Sequence, residues 1–287
     1  MDMEREILWS PSEERSKNSA LAKYMAWLRK HYSLEFATYP ELWEWSTNDL
    51  ELFWETIWLY FDLRSSKPYS KILSKREMPG AEWFIDCELN YVEQLLRAKE
   101  TKSHKTAIVS HSETLGNMSL TWLELSQQVA SVADHFKKLD LKKGDRVAAI
   151  LPNTPAALIA FLATASLGGI WSICAPDMGH VAILDRFKQI KPKILIAQDG
   201  YIYAGKTIDR REVLNTIIKG LPSLKKKIIL PVIGTLPEGT LSWDNLLNQK
   251  VDLTPVQVPF DHPLWIVYSS GTTGNPKPIV HGHGGIL

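Results

Sequence analysis

Residues 146–174 read RVAAILPNTPAALIAFLATASLGGIWSIC. No charged side chain occurs between Arg146 and Asp177, and residues 156–175 are mostly apolar. Length alone is compatible with a membrane span, which needs about 20 such residues. The punctuation of the stretch argues instead for a buried pair of elements. Pro152 and Pro155 stand at its start and Gly168-Gly169 divides it. Proline and paired glycine interrupt regular structure. The reading is therefore a strand at 146–151, a short helix at 156–167 and a β-like run at 170–173.

The same texture continues on either side. Upstream, Ala107-Ile108-Val109 is a short apolar strand, Thr121 is placed to cap a helix at 122–138, and Lys143-Gly144-Asp145 turns the chain. Downstream, a helix near 183–189, a strand at 193–197, a helix at 211–219 and a strand at 227–231 follow in turn. Residues 244–258 look irregular, and the last apolar strand is 264–268. Helices alternating with short β-branched runs predict an α/β fold with a mainly parallel sheet.

The first hundred residues differ: they are rich in tryptophan and helical in pattern. Asn48 followed by Glu51 resembles a capping box. Leu50, Phe53, Trp54, Ile57, Trp58 and Phe61 then fall on one helical face, which reads as a packing stripe. Residues 89–96 read as another amphipathic helix. The expected organisation is a helical part at 1–100 followed by an α/β part at 101–287.

Composition narrows the function. Thirty-three basic against 32 acidic side chains leave a net charge of +1, so neither nucleic acid nor an anionic membrane is expected as a partner. Lys142-Lys143 and Lys225-Lys226-Lys227 read as solvated turns beside strands. Cys87 and Cys174 are too few for a disulfide scaffold and point to reduced thiols in a cytoplasmic protein. No metal site is expected, because His281-Gly282-His283 lacks the further ligands that zinc requires. The charged start, Met1 to Glu6, is not followed by the apolar core of a secretion signal.

The chemistry-bearing segment is Tyr268-Ser269-Ser270-Gly271-Thr272-Thr273-Gly274-Asn275-Pro276-Lys277. A polyphosphate needs many donors, close approach and positive charge. Gly271 and Gly274 let backbone N–H groups turn toward phosphate oxygens. Ser269, Ser270, Thr272 and Thr273 add hydroxyl donors, and Lys277 adds a cation between Pro276 and Pro278. The order is not Walker A, in which Gly-Lys-Ser/Thr opens a helix. Ile279-Val280-His281 reads as a strand, so the expectation is a strand–loop–strand phosphate binder. A polar hairpin turn is the plain alternative, and His281 and His283 read as packing and hydrogen-bonding residues.

Residues 266–277 resemble the phosphate-loop motif of the adenylate-forming enzymes at every position. Leu42-Trp43-Glu44-Trp45-Ser46, Phe53-Trp54, Trp83-Phe84 and Leu89-Asn90-Tyr91 resemble the helical N-terminal cap of the short-chain, acetyl-CoA synthetase-like branch. Within it, the chain looks most like the acetoacetate-activating members. That likeness rests on residues 161–168, Ile170-Trp171-Ser172, Leu184-Asp185-Arg186-Phe187, Asp199-Gly200-Tyr201 with Gly205-Lys206, and Lys277-Pro278-Ile279-Val280-His281.

The resemblance implies ATP, Mg2+ and CoA as substrates and cofactor, with acetoacetate as the acid. Ser269, Ser270, Gly271, Thr272, Thr273 and Gly274 would contact the ATP phosphates, with Lys277 as their charge partner. Lys206 would lie near a CoA phosphate, although an exposed, solvated lysine explains it equally well. Chains of the family run to more than twice this length. The resemblance therefore implies an incomplete adenylation domain at 101–287, truncated after the phosphate loop. A C-terminal part or second polypeptide would supply the main catalytic lysine, the adenine site and most of the acyl pocket. Two alternatives stay open: another short acid such as acetate or propionate, and a non-catalytic nucleotide-binding or interaction module.

Overall fold

The computed structural model describes residues 8–113, 116–234, 238–269 and 274–287. The chain forms two compact units, one of residues up to Arg64 with Ile72–Ala81, the other of Ser65–Lys71 with Glu82–Leu287.

The first unit is helical: α1 (Glu13–Lys17), α2 (Ala20–Tyr32), α3 (Tyr39–Asn48) and α4 (Leu50–Tyr60). Ser12, Ser19, Thr38 and Asp49 each cap a helix by accepting a backbone N–H, which meets donors that have no partner inside the helix. The sequence placed the α4 cap at Asn48. Asn48 is instead the last residue of α3, and Asp49, accepting from Leu52, caps α4. Either side chain has the capping chemistry; the continuation of α3 decides between them. Arg76 donates to the carbonyls of Thr47 and Asn48 at that helix end. Tyr24, Leu28 and Leu42 form the core, with Phe53 and Ile57 of the aromatic stripe packed on it. Trp58 is buried as well, whereas Trp54 and Phe61 of the same stripe are 40% and 56% exposed.

The second unit is built on a seven-stranded sheet. Its strands are β1 (Arg146–Ile150), β2 (Ile170–Cys174), β3 (Ile194–Gln198), β4 (Lys226–Leu230), β5 (Leu241–Ser242), β6 (Pro263–Ser269) and β7 (Lys277–Gly282). Their order is β5-β4-β3-β1-β2-β6-β7. Every neighbouring pair is parallel except β6 with β7, so the fold is α/β with a mainly parallel sheet, as the alternation predicts. Its helices include α5 (Tyr91–Leu96), α6 (Trp122–Lys138), α7 (Pro155–Ser166), α8 (His180–Ile190) and α9 (Arg211–Lys219).

Strand alternation divides the core in two. Val147 and Ala149 of β1 face a cluster that contains Leu125, Val129 and Phe136 of α6 and Ile159 and Leu162 of α7. Ala148 and Ile150 face the other cluster, with Ile183 and Phe187 of α8 and Leu214 and Ile217 of α9. A parallel strand covered on both faces needs an unbroken apolar run, which is what Val147 to Ile150 supply. Among the described residues no helix is long and apolar enough to cross a membrane.

Three local features follow from particular residues. Thr121 and Glu124 form a reciprocal capping box at the start of α6, as the sequence predicts. Gly168 ends α7 with φ +69°, and a Cβ on Gly169 would lie 3.0 Å from the Thr164 carbonyl oxygen, so both glycines are needed there. The third is Asn90. The sequence read 89–96 as one helix, but Leu89 ends a strand and Asn90 caps α5, its Oδ1 accepting from Val92 at 2.9 Å. Its Nδ2 donates to the carbonyls of Ala165 and Val256 at 3.1 and 2.8 Å, with a longer approach to Ser166. One buried amide thus closes the start of α5 and the end of α7 together.

The sequence also missed a strand. Residues 107–109 belong to Thr106–Ser112, which pairs antiparallel with Gly116–Thr121. Gly116-Asn117-Met118-Ser119 has no apolar alternation to reveal it.

Candidate ATP phosphate loop and adjoining crevice

β6 carries the phosphate-loop sequence out of the core. Leu264 and Ile266 are buried, and Ser172 of β2 donates its hydroxyl to the Ile266 carbonyl at 2.8 Å. Tyr268 donates its hydroxyl to the Arg186 carbonyl of α8 at 2.8 Å, and the Arg186 guanidinium lies 5.6 Å from the Tyr268 ring centre. Burial pushes the Tyr268 phenol up to about 12, so it stays a neutral donor. Burial likewise raises the nearby Cys174 thiol to about 11. Cys174 and Cys87 are both free and buried.

The β6–β7 ladder runs as far as the pair Ser269 with Lys277, so the segment is strand, connection, strand. Ser270, Gly271, Thr272 and Thr273 lie outside the described residues. Gly274 has φ +105°, and a Cβ there would meet nothing within 4 Å. Its glycine is therefore required by backbone conformation and not by crowding. The Pro276 carbonyl accepts from Gln189 Nε2 of α8 at 3.0 Å. Lys277 follows with an exposed side chain. Of the predicted residues, the structure thus brings Ser269, Gly274 and Lys277 to the two ends of one connection.

The carboxyl ends of β1 to β4 open on a crevice of about 840 Å3. Asn153 and Thr154 line it after β1, Asp177 after β2, and Tyr201 and Tyr203 after β3. β1 lies between β2 and β3, the place where strand order reverses, and open α/β sheets bind ligands outside the carboxyl ends of strands at such points. The segment after β4 is held by buried Asp199, whose carboxylate accepts N–H groups of Val232 and Gly234 at 2.6 and 3.0 Å. Lys206 lies on the ribbon Gly200–Tyr203/Lys206–Asp209, paired with Tyr203, and is exposed. The sequence showed neither the crevice nor Gln189. The crevice is assembled from separated segments, and Gln189 sits on the polar side of an amphipathic helix.

His283 is fully buried, and its Nδ1 accepts the Tyr91 N–H at 3.1 Å. His281 stands edge-on to Trp265. Both histidines therefore pack and, for His283, hydrogen-bond. Among the described residues no group of three or more His, Cys, Asp or Glu side chains is placed to hold a metal ion.

A parallel sheet whose inner strand leads into a Ser/Thr/Gly loop ending in Pro-Lys is the architecture of one enzyme class. The profile described as "AMP-binding enzyme" matches residues 95–287, and that of "Acetyl-coenzyme A synthetase N-terminus" matches 39–95. The chain belongs to the AMP-binding enzyme family. It is similar to acetoacetyl-CoA synthetase of Danio rerio, 37% identical over 99% of this chain and 44% of that protein. The solved acetoacetyl-CoA synthetase of Streptomyces lividans superimposes with a TM-score of 0.95 at 43% identity, over 98% of this chain and 44% of that one. A malonamoyl-CoA synthetase of Penicillium aethiopicum is 33% identical over 98% of this chain and 41% of its own. The chain spans under half the length of these relatives.

Proposed function

We propose that this chain is the phosphate-loop part of an acetoacetate–CoA ligase. Residues 1–100 would be its helical cap, and residues 101–287 the first part of its adenylation domain. The observation that carries the reading is the strand–connection–strand whose second strand begins at Lys277, within a chain whose named relatives at 37% and 43% identity are acetoacetyl-CoA synthetases. In the complete enzyme, attack of the acetoacetate carboxylate on the ATP α-phosphorus forms an acyl-AMP anhydride and releases pyrophosphate. The CoA thiolate then displaces AMP.

This chain's part lies in the first step. Ser269, Ser270, Gly271, Thr272, Thr273 and Gly274 hold the β- and γ-phosphates as charge moves onto pyrophosphate, and Lys277 supplies the opposing charge. No residues of the chain are assigned to Mg2+. Lys206, on the ribbon beside the crevice, is assigned to a CoA phosphate. The main catalytic lysine belongs to a C-terminal part or second polypeptide, and the compartment is the cytoplasm.

Acetoacetate-dependent exchange of labelled pyrophosphate into ATP tests the reading. Residues 1–287 alone are expected to be inactive, and activity is expected once the remaining part is supplied. Robust exchange by residues 1–287 alone would overturn the partial-enzyme reading. In the completed enzyme, Lys277→Ala should weaken ATP use by about 2–3 kcal/mol, roughly 30- to 150-fold. A second reading keeps the chemistry and changes the acid, to acetate, propionate or another short acid. The malonamoyl-CoA synthetase relative favours it, and competition between acetoacetate and those acids in the exchange assay decides.

A further inference from the structure

Tyr268 lies one residue before Ser269, and Pro276 one residue before Lys277, so they are the two shoulders of the loop. Both are fastened to a single helix. Tyr268 donates to the Arg186 carbonyl, and Gln189 donates to the Pro276 carbonyl. Arg186 and Gln189 are three residues apart on α8 and therefore share a face. The helix itself is anchored in the core by Ile183, Phe187 and Ile190.

Both N–H donors of the Gln189 amide are engaged, because Nε2 also donates to the Asp185 carbonyl at 2.8 Å. That second bond orients the amide toward Pro276. Proline has no N–H, so its carbonyl is the main-chain group through which Pro276 can be held. β7 lies at the edge of the sheet and pairs with β6 alone among the described strands. Cross-strand pairing therefore stops at Lys277, and the Gln189 bond extends the fixation one residue into the connection.

We propose that α8 is the platform that fixes the two described shoulders of this loop, with Tyr268 and Gln189 as its positioning residues. A phosphate binder gains from donors held in place before the ligand arrives. α8 supplies this by tying both shoulders to the buried layer. The inference rests on the loop being the phosphate-binding element, and the test separates the two ideas.

Hydrogen exchange is measured on residues 1–287 and on the Tyr268→Phe, Gln189→Ala and double variants, and ATP binding on the same variants in the completed enzyme. Peptides covering 266–278 should exchange about 3- to 10-fold faster in each single variant and faster still in the double variant. Peptides from β1 and β3 should be unchanged. Unaltered exchange at 266–278 in the double variant overturns the proposal. If the variants loosen the loop but the completed wild-type enzyme binds no ATP, positioning stands and the phosphate reading fails. Gln189→Glu adds a readout that general destabilisation would not move: only a protonated carboxyl can donate to the Pro276 carbonyl. In the completed enzyme its ATP affinity relative to wild type should be low at pH 8 and recover only as pH falls to about 4, near the ordinary carboxyl value. A ratio that does not change with pH counts against the proposal.

Discussion

Asn90→Ala is expected to destabilise the second unit by about 2–4 kcal/mol, read as a lower urea midpoint for residues 1–287. The estimate combines a lost helix cap, worth about 1 kcal/mol, with the Val256 carbonyl left unpaired at about 1–3 kcal/mol; the Ala165 carbonyl keeps the Gly168 N–H. Asn90 is fully buried, so water cannot replace it without rearrangement. The partners it joins lie 75 and 166 residues away in sequence, at Ala165 and Val256. Its loss should therefore loosen α5, the end of α7 and the segment at Val256 together, and hydrogen exchange should rise at all three. Asn90→Asp tests the donor side separately. It keeps the acceptor for Val92 but turns a carboxylate oxygen toward two carbonyls, and should be at least as damaging. A loss below about 1 kcal/mol for Asn90→Ala would show that the amide is dispensable.

The second large effect is pH dependence through His283. Burial first, and the charge of nearby His262 second, lower its pKa from 6.5 to about 3. The bond to Tyr91 N–H requires an unprotonated Nδ1, which places the proton on Nε2, a buried atom without a partner among the described residues. His262, its ring centre 5.7 Å away, is held through Nε2 by the Gly168 carbonyl. The folded pKa lies below the unfolded one, so the unfolded chain binds the extra proton between those values. Stability from this group is complete above pH 6.5 and is lost as pH falls toward 3, at about 1.4 kcal/mol per pH unit. Urea midpoints measured from pH 7 to pH 4 should show that slope. His283→Asn keeps an acceptor for Tyr91 but cannot titrate, and should flatten the curve. Exposed carboxylates with lowered pKa, such as Asp86 and Asp209, remain in both proteins. The difference between the two curves therefore isolates His283, and parallel curves would refute its role.

Much of the fold was legible because its signals are local. The Thr121–Glu124 box set the start of α6, and residues 211–219 matched α9 from their amphipathic pattern. The candidate phosphate loop stands out for the same reason, since its hydroxyls, glycines and lysine are contiguous. What stayed hidden depends on distant partners or lacks a pattern. Asn90 reads as a plain helix start, and nothing near it announces the end of α7. Gln189 reads as a solvated residue until the Pro276 carbonyl comes within 3.0 Å. The strand Gly116–Thr121 is polar, and only pairing with Thr106–Ser112 reveals it.

The prolines on either side of Lys277 have a consequence for the outer margin of the sheet. β7 is the last strand in the order, and Ile279 and Val280 on it are 43% and 54% exposed. An apolar margin of this kind invites a second chain to add itself as another strand. Pro278 removes a main-chain donor from the strand, Pro276 removes another just before it, and Lys277 sets a charge between them. An incoming strand would find a broken row of donors and a cation to desolvate. The residues at the loop's exit thus also disfavour strand addition at this margin of the described sheet.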